Sequence, residues 1–390
     1  MRKYIPVFAA DFSPEDRAAI VAELAKTEYI TSGKRMDAFE RKFAAYHKRK
    51  FATMTNSGSS ALFAAIYAMG WKPGDKIIVP AVTFPTSISP LLWLGMVPVL
   101  IDIDDTLNID PQKMVDGIGA VGGVAGAVIP HTLGNPCDPS VWGVFETSVE
   151  DTCDALGSFI NGKMCGTFGT VSCFSFFPAH HIFTGEGGMT LTNYPKHAET
   201  IRQFVNWGRA CACKPGEDNR CGKRFESVVD GIPWDHKYEF NIAGGNFKPG
   251  LDIQGLLGSR QLAKEEQYRA IRKRNHEIIA SALRPLQGVV KLAVQLPGSD
   301  PAWFGCQITL TRGSRKEVIA RIENRGVASR LLFSGNVDRQ SFARGRCVVP
   351  GKLEKADEIM ESGFIVGCNQ TISEEEAHYI ATVVKEEVTR

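Results

Sequence analysis

Between residues 50 and 250, short apolar runs alternate with stretches of helical spacing. The runs KIIVPA (76–81), VPVLID (97–102), GAVIP (126–130), FETSVED (145–151) and TVSCFSF (170–176) have strand length and strand composition. Segments such as SGSSALFAAIYAMG have the spacing of helices. Strands and helices in this alternation predict an α/β fold, a mostly parallel sheet covered on both faces. Upstream, residues 13–26 open with a serine cap and two acids before a helical pattern, and 36–48 form a second amphipathic run. Residues 215–250 are rich in glycine, proline, asparagine and charge, and read as a long loop of the kind usually kept for function. A single long helix is expected over roughly 252–285, then antiparallel strands and helices at 314–325 and 373–388. The expected division is a large domain, 1–262, carrying a cysteine loop at 208–250, and a smaller C-terminal domain, 263–390.

A chain of 390 residues, 44% hydrophobic and 23% charged, has enough apolar material for such a core. Its net charge of +2 gives no argument for a nucleic-acid or membrane partner. No run of about 18 apolar residues suggests a membrane span, and MRKYIPVFAADFSPED lacks the apolar core of a signal peptide. A cytoplasmic protein is therefore expected, with its ten cysteines mostly reduced. Clustered thiols in such a chain favour metal binding or catalysis over disulfides.

Four motifs carry chemistry. TNSGSSAL (55–62) places small residues before an apolar helix, where free N–H groups can hold a phosphate or simply be capped. PAVTFPTSIS (80–89) offers Phe84 after a strand, either to stack on a flat heterocycle or to fill the core. In FETSVEDTCDALGS (145–158), Asp151 ends a strand, where ligands bind in open parallel sheets; a helix cap is the plainer reading. TVSCFSFFPAHHIFTGEGGM (170–189) leads from a strand ending at Ser175 to His180 and His181 and a glycine-rich return. Neutral histidine accepts protons near physiological pH, although a lone histidine is more often structural.

Together and in this order, these motifs resemble the sugar aminotransferases that use pyridoxal phosphate, along nearly the whole chain. GGNFKPGLDIQGLLGSRQL (244–262) is similar to a later signature of the same family. The resemblance implies the pyridoxal-phosphate-dependent aminotransferase fold of type I, with a large, mostly parallel α/β domain and a smaller C-terminal α+β domain. It implies that Gly58, Ser59 and Ser175 contact the cofactor phosphate and that Phe84 stacks on the ring. Asp151 would pair with the pyridine nitrogen, with Asp154 among the cofactor contacts. Asn246 would complete the phosphate site of a neighbouring subunit, which implies a homodimer.

One departure bears on mechanism. The family places its Schiff-base lysine five residues after the serine matching Ser175, and here that residue is His180. Imidazole cannot form the covalent link that a lysine amine forms. The cofactor is then expected to be held noncovalently, as pyridoxamine phosphate (or pyridoxal phosphate), with His180 moving a proton at C4′. Lys163 and Lys248 are the nearest lysines within the motifs, and neither occupies the matching position. This pattern resembles the deoxysugar 3-dehydrases and 3-dehydratases more than the aminotransferases.

Cys211, Cys213 and Cys221 have the spacing C-x-C-x7-C, and Cys153 stands two residues after Asp151. Four thiolates can hold a [2Fe–2S] cluster or a structural zinc, or they can be separate thiols. The spacing, together with WGR, KRF and WDHKYEF around it, resembles the CDP-4-keto-6-deoxy-D-glucose 3-dehydrase family. That resemblance implies an iron–sulfur enzyme removing the C3 hydroxyl of a nucleotide-linked 4-keto-6-deoxyhexose, fed with electrons by a separate NAD(P)H-dependent flavin and iron–sulfur reductase. Arg330 and Asn336 resemble a substrate-facing segment of the same group, and His181 either assists His180 or packs. The rival readings are a redox-free 3-dehydratase and a non-enzymatic sensor or scaffold that keeps the fold.

Overall fold

The computed structural model describes residues 4–27, 30–31, 33–211, 219 and 222–390. Its central sheet has seven strands: β1 (Phe51–Thr55), β2 (Lys76–Pro80), β3 (Val97–Ile101), β4 (Gly126–Pro130), β5 (Ser148–Asp151), β6 (Val171–Ser175) and β7 (Gly188–Thr192). Their order is β1-β7-β6-β5-β4-β2-β3. Pairings from β6 through β3 are parallel, while β7 runs antiparallel to both neighbours. Every residue of β4, β5 and β7 is buried, as a sheet covered on both faces requires. Alternate side chains reach opposite cores: Val128 and Val149 pack with helix Gly58–Ala68, while Ala127 and Ile129 pack with helix Pro111–Val121.

The same alternation separates two adjacent acids on β5. Glu150 is fully buried and accepts hydrogen bonds from the N–H groups of Phe168 (2.8 Å), Gly169 (2.8 Å) and Gly166, and from Ser172 Oγ (2.9 Å). Its carboxylate also meets His131 Nε2 at 3.0 Å. Asp151, the next residue, turns to the other face.

The C-terminal part builds a four-stranded antiparallel sheet from β10 (Val290–Lys291), β11 (Cys306–Leu310), β12 (Ser329–Arg330) and β13 (Gly363–Val366), in the order β10-β11-β13-β12. Helices Glu265–Leu283, Arg315–Asn324 and Glu374–Thr389 pack on it through Ile279, Leu283, Ile322 and Ile380. The N-terminal segment joins this part, since Ile5 pairs with Val327.

Several element boundaries differ from expectation. The long helix over 252–285 is two helices, Ile253–Leu262 and Glu265–Leu283. Between them the Lys264 N–H bonds to Gln261 O, three residues back, and the Lys264 ammonium is drawn to buried Asp16 at 2.7 Å. A single tightened turn leaves the apolar spacing intact, so periodicity does not register it. The stretch 215–250 contains a hairpin, β8 (Ser227–Val229) with β9 (Ile232–Trp234). Helix Glu354–Ser362 was not foreseen, and β5 starts at Ser148 instead of 145. Among the described residues, no helix is long and apolar enough to cross a membrane.

Burial on its own would raise the pKa of Glu150, but the bonds from His131 and the backbone amides outweigh it and hold the pKa at about 2. A depressed carboxylate pKa adds stability that is present above the unfolded value and lost as pH falls through the folded one. The stability gained from Glu150 should therefore fade between pH 4.5 and about 2. Glu150→Gln should cost on the order of 3 kcal/mol at neutral pH, because a buried network loses its charged acceptor. Urea unfolding at pH 7 and across the acid range measures both effects; an unchanged midpoint would refute them.

Candidate active site

A cavity of about 560 Å³ opens at the C-terminal ends of β4, β5 and β6, lined there by Pro130, Asp151 and Ser175. On one side, helix Gly58–Ala68 begins. Ser57 caps it by accepting from Ser60 N at 3.1 Å, which leaves the Gly58 and Ser59 N–H groups without an acceptor among the described residues. A Cβ on Gly58 would lie 2.6 Å from Ser175 Cβ, so only glycine lets the helix start approach the end of β6 this closely. The resulting hollow has two free amides, a helix N-terminus and two serine hydroxyls, which suit a phosphate.

Asp151 lies at the cavity floor. Ser87 Oγ donates to its Oδ2 at 3.0 Å and Cys153 N to its Oδ1 at 3.2 Å. Burial raises its pKa despite these bonds. No cationic side chain of the chain pairs with it among the described residues, so a protonated ring nitrogen would fill an electrostatic need that the protein leaves open. Phe84 stands at the cavity edge, 52% exposed, with its ring edge-on to Phe333 at 6.3 Å between centroids. A flat heterocycle between Phe84 and Asp151, with its phosphate at Gly58, Ser59 and Ser175, fits this donor set.

His180 enters from the turn after β6. Its Nδ1 lies 3.5 Å from the Asp154 carboxylate, yet no partner meets it in hydrogen-bond geometry. Burial, aided by the nearby Arg272 charge, pushes its pKa down to about 3, so the imidazole is neutral. Asp154 is driven the other way by burial and by its neighbour Asp151. Among the described residues, no lysine lines the cavity.

Gly58, Ser59, Phe84, Asp151, Cys153, Asp154, Ser175, His180 and Arg330 thus share one cavity. Other expected residues do not. His181 is buried behind it with Nε2 against Ala302 O, so of its two expected roles it packs and does not face substrate. Asn336 is also buried; its side chain donates to Asp357 at 2.6 Å and accepts from Asp338 N, capping a turn away from the cavity. Asn246 is exposed and does not line the cavity of its own chain; it pairs with Asn206. Cys211 is buried and not part of the cavity lining, and Cys213 and Cys221 lie outside the described residues. Among the described residues, no three potential ligands converge on a metal position. Sequence reasoning missed Phe8 and Phe304, whose segments carry no periodic or motif signal, and Phe333, which sits unnamed between Arg330 and Asn336. It also missed the Glu150–His131 pair that braces the floor.

Fold and cavity together define a protein with the architecture of the pyridoxal-phosphate-dependent aminotransferases. The chain belongs to the DegT/DnrJ/EryC1/StrS aminotransferase family, whose profile matches residues 13–385. It is 34% identical to a dTDP-4-dehydro-2,6-dideoxy-D-glucose 3-dehydratase of Saccharopolyspora spinosa, over 99% of this chain and 89% of that one. It is 35% identical to the lipopolysaccharide biosynthesis protein RfbH of Salmonella typhimurium, over 94% and 88%. Among solved structures, an E. coli GDP-4-keto-6-deoxy-D-mannose-3-dehydratase with bound hydrated PLP superposes with a TM-score of 0.84 at 26% identity, covering 98% of this chain and 99% of that one.

Asp151→Asn should weaken pyridoxal phosphate binding at least about tenfold, because a charge-assisted hydrogen bond is worth roughly 1.5–3 kcal/mol. A fluorescence titration of the cofactor-free protein measures this, and equal affinity in the variant would remove Asp151 from the ring-nitrogen role.

Proposed function

We propose that this chain is a pyridoxamine-phosphate-dependent 3-dehydrase of a nucleotide-linked 4-keto-6-deoxyhexose, acting in deoxysugar and lipopolysaccharide biosynthesis. The observation that carries the reading is His180 at the lysine position of a cavity that no lysine of the described residues lines. The two relatives named 3-dehydratases above support the substrate class.

When bound, pyridoxamine phosphate would supply an amine for the 4-keto carbon and a ring that accepts an electron pair. The residues of the chain do the rest. Gly58, Ser59 and Ser175 hold the phosphate, Phe84 covers the ring, and Asp151 keeps the ring nitrogen protonated. Neutral His180 takes a proton at C4′, and loss of the C3 hydroxyl as water completes the dehydration. Asp154, whose burial favours its uncharged form, stands 3.5 Å from His180 Nδ1 beside the base. Arg330, at the cavity rim, faces the nucleotide-sugar substrate. Asn246 serves the phosphate site of a second subunit in a homodimer.

The finer reading adds reduction. Cys153, Cys211, Cys213 and Cys221 would hold a [2Fe–2S] cluster, and two electrons with two protons then turn the dehydrated product into a 3-deoxy sugar. A separate NAD(P)H-dependent flavin and iron–sulfur reductase supplies those electrons. CDP is the carrier in this reading, on the resemblance of the cysteine segment. A redox-free 3-dehydratase is the second reading, in keeping with the names of these two relatives.

His180→Asn should bind pyridoxamine phosphate with near wild-type affinity and lose exchange of its C4′ proton with solvent by at least about 10²-fold, the usual share of a general base. Exchange that survives would take the base role from His180. Anaerobic purification followed by iron and acid-labile sulfide analysis separates the two readings. About two of each per chain, absent in Cys211→Ser while dehydration persists, is expected for the reductive enzyme; zinc or no metal assigns the redox-free reaction.

A further inference from the structure

Arg272, on helix Glu265–Leu283, is fully buried and belongs to neither the cavity lining nor any ion pair among the described residues. Its guanidinium is spent on backbone carbonyls. Nη1 donates to Trp303 O at 3.2 Å and to Phe304 O at 3.4 Å, Nη2 donates to His180 O at 3.4 Å, and Nε has no partner. A buried cation without a carboxylate in contact is a poor source of stability, since an apolar side chain of similar volume often serves a core as well or better. Its retention points to what it holds.

What it holds converges on one imidazole. Phe304 stacks on the ring of His180, with centroids 5.0 Å apart and planes 28° apart. Phe8 stacks on Phe304, 4.6 Å away and also at 28°. The side chain of His180 is thus placed by a ring whose own carbonyl Arg272 grips, and its main chain is gripped by the same guanidinium. Three segments distant in sequence, the turn after β6, helix Glu265–Leu283 and the strand lead-in at 303–304, meet at this one group.

We propose that Arg272 is a positioning residue for His180, fixing the backbone and the stacking surface of the base so that its imidazole faces the cofactor cavity. The inference rests on the base role given to His180 above. Rigid placement matters because a displacement of about 1 Å in a reacting group costs roughly 10²-fold in rate.

The test compares Arg272→Met, which keeps volume without donors, with Arg272→Lys, which keeps charge and reaches fewer carbonyls. In crystals of the cofactor-free variants, Arg272→Met should shift the His180 ring or split it between rotamers, and Arg272→Lys should do so less. With pyridoxamine phosphate bound at near wild-type affinity, C4′ proton exchange should fall about 10²-fold in Arg272→Met and recover in part in Arg272→Lys. An unmoved ring and unchanged exchange, even with a lower melting temperature, would reduce Arg272 to a structural residue and overturn the proposal. If Arg272→Met does not fold, Phe304→Leu takes its place, with exchange expected to drop about tenfold and wild-type exchange overturning the proposal. His180→Asn, assayed alongside, separates the two failures. Exchange surviving there defeats the base assignment itself, whereas exchange lost there but kept in Arg272→Met defeats only the positioning role.

Discussion

The cavity depends on a carboxylate that does not enter it. Glu150 carries a full negative charge in the core and is satisfied there by backbone amides at 166, 168 and 169, by Ser172 and by His131. These partners lie at the end of β4, in the turn leading into β6 and on β6 itself, so a single group ties together the three strands whose ends form the cavity floor. His131 in turn accepts from Cys137 N at 2.9 Å, which leaves neither ring nitrogen idle. Because strand side chains alternate in direction, the neighbouring Asp151 points the opposite way, toward the cofactor position. The buried acid and the cavity-floor acid are adjacent in sequence and differ in state because their donors differ: Glu150 is held well below its usual pKa, while burial carries Asp151 above its own.

The second constraint is the imidazole at position 180. A lysine at this position would attach the cofactor covalently; an imidazole cannot, and burial keeps it neutral. In the proposed reading the exchange trades an anchor for a base, and holding the cofactor would then fall to the hollow at Gly58 and Ser175, to Phe84 and to Asp151.

Much of this was legible in the sequence because the signals were local. Strand runs fully buried on both faces read as continuous apolar stretches, and β2, β3 and β4 were placed within a residue or two. Gly58, Phe84, Asp151, Ser175 and His180 sit at strand or helix ends, where motif and geometry coincide. What escaped was non-local. Phe304 reaches His180, with Phe8 stacked behind it, only because the N-terminal segment pairs with Val327 and the C-terminal part folds back over the cavity. Arg272 reads in the sequence as one more surface cation on a charged helix and is fully buried in the fold. Asn336 lies in a segment resembling a substrate contact, but its amide is taken up by Asp357.

The stretch bearing the later cysteines leaves and re-enters the fold at one place. Trp207 N bonds Gly245 O, Asn241 N bonds Gly208 O, and Asn206 and Arg209 pair with Asn246 and Phe240. This ladder is anchored to the phosphate hollow, since Asn56 N bonds Phe247 O at 2.7 Å. Once such a clasp is made, closing a longer loop grows costlier by only about 0.6 kcal/mol per doubling of its length. A change in the length of chain between the two sides of this clasp would therefore cost the fold little.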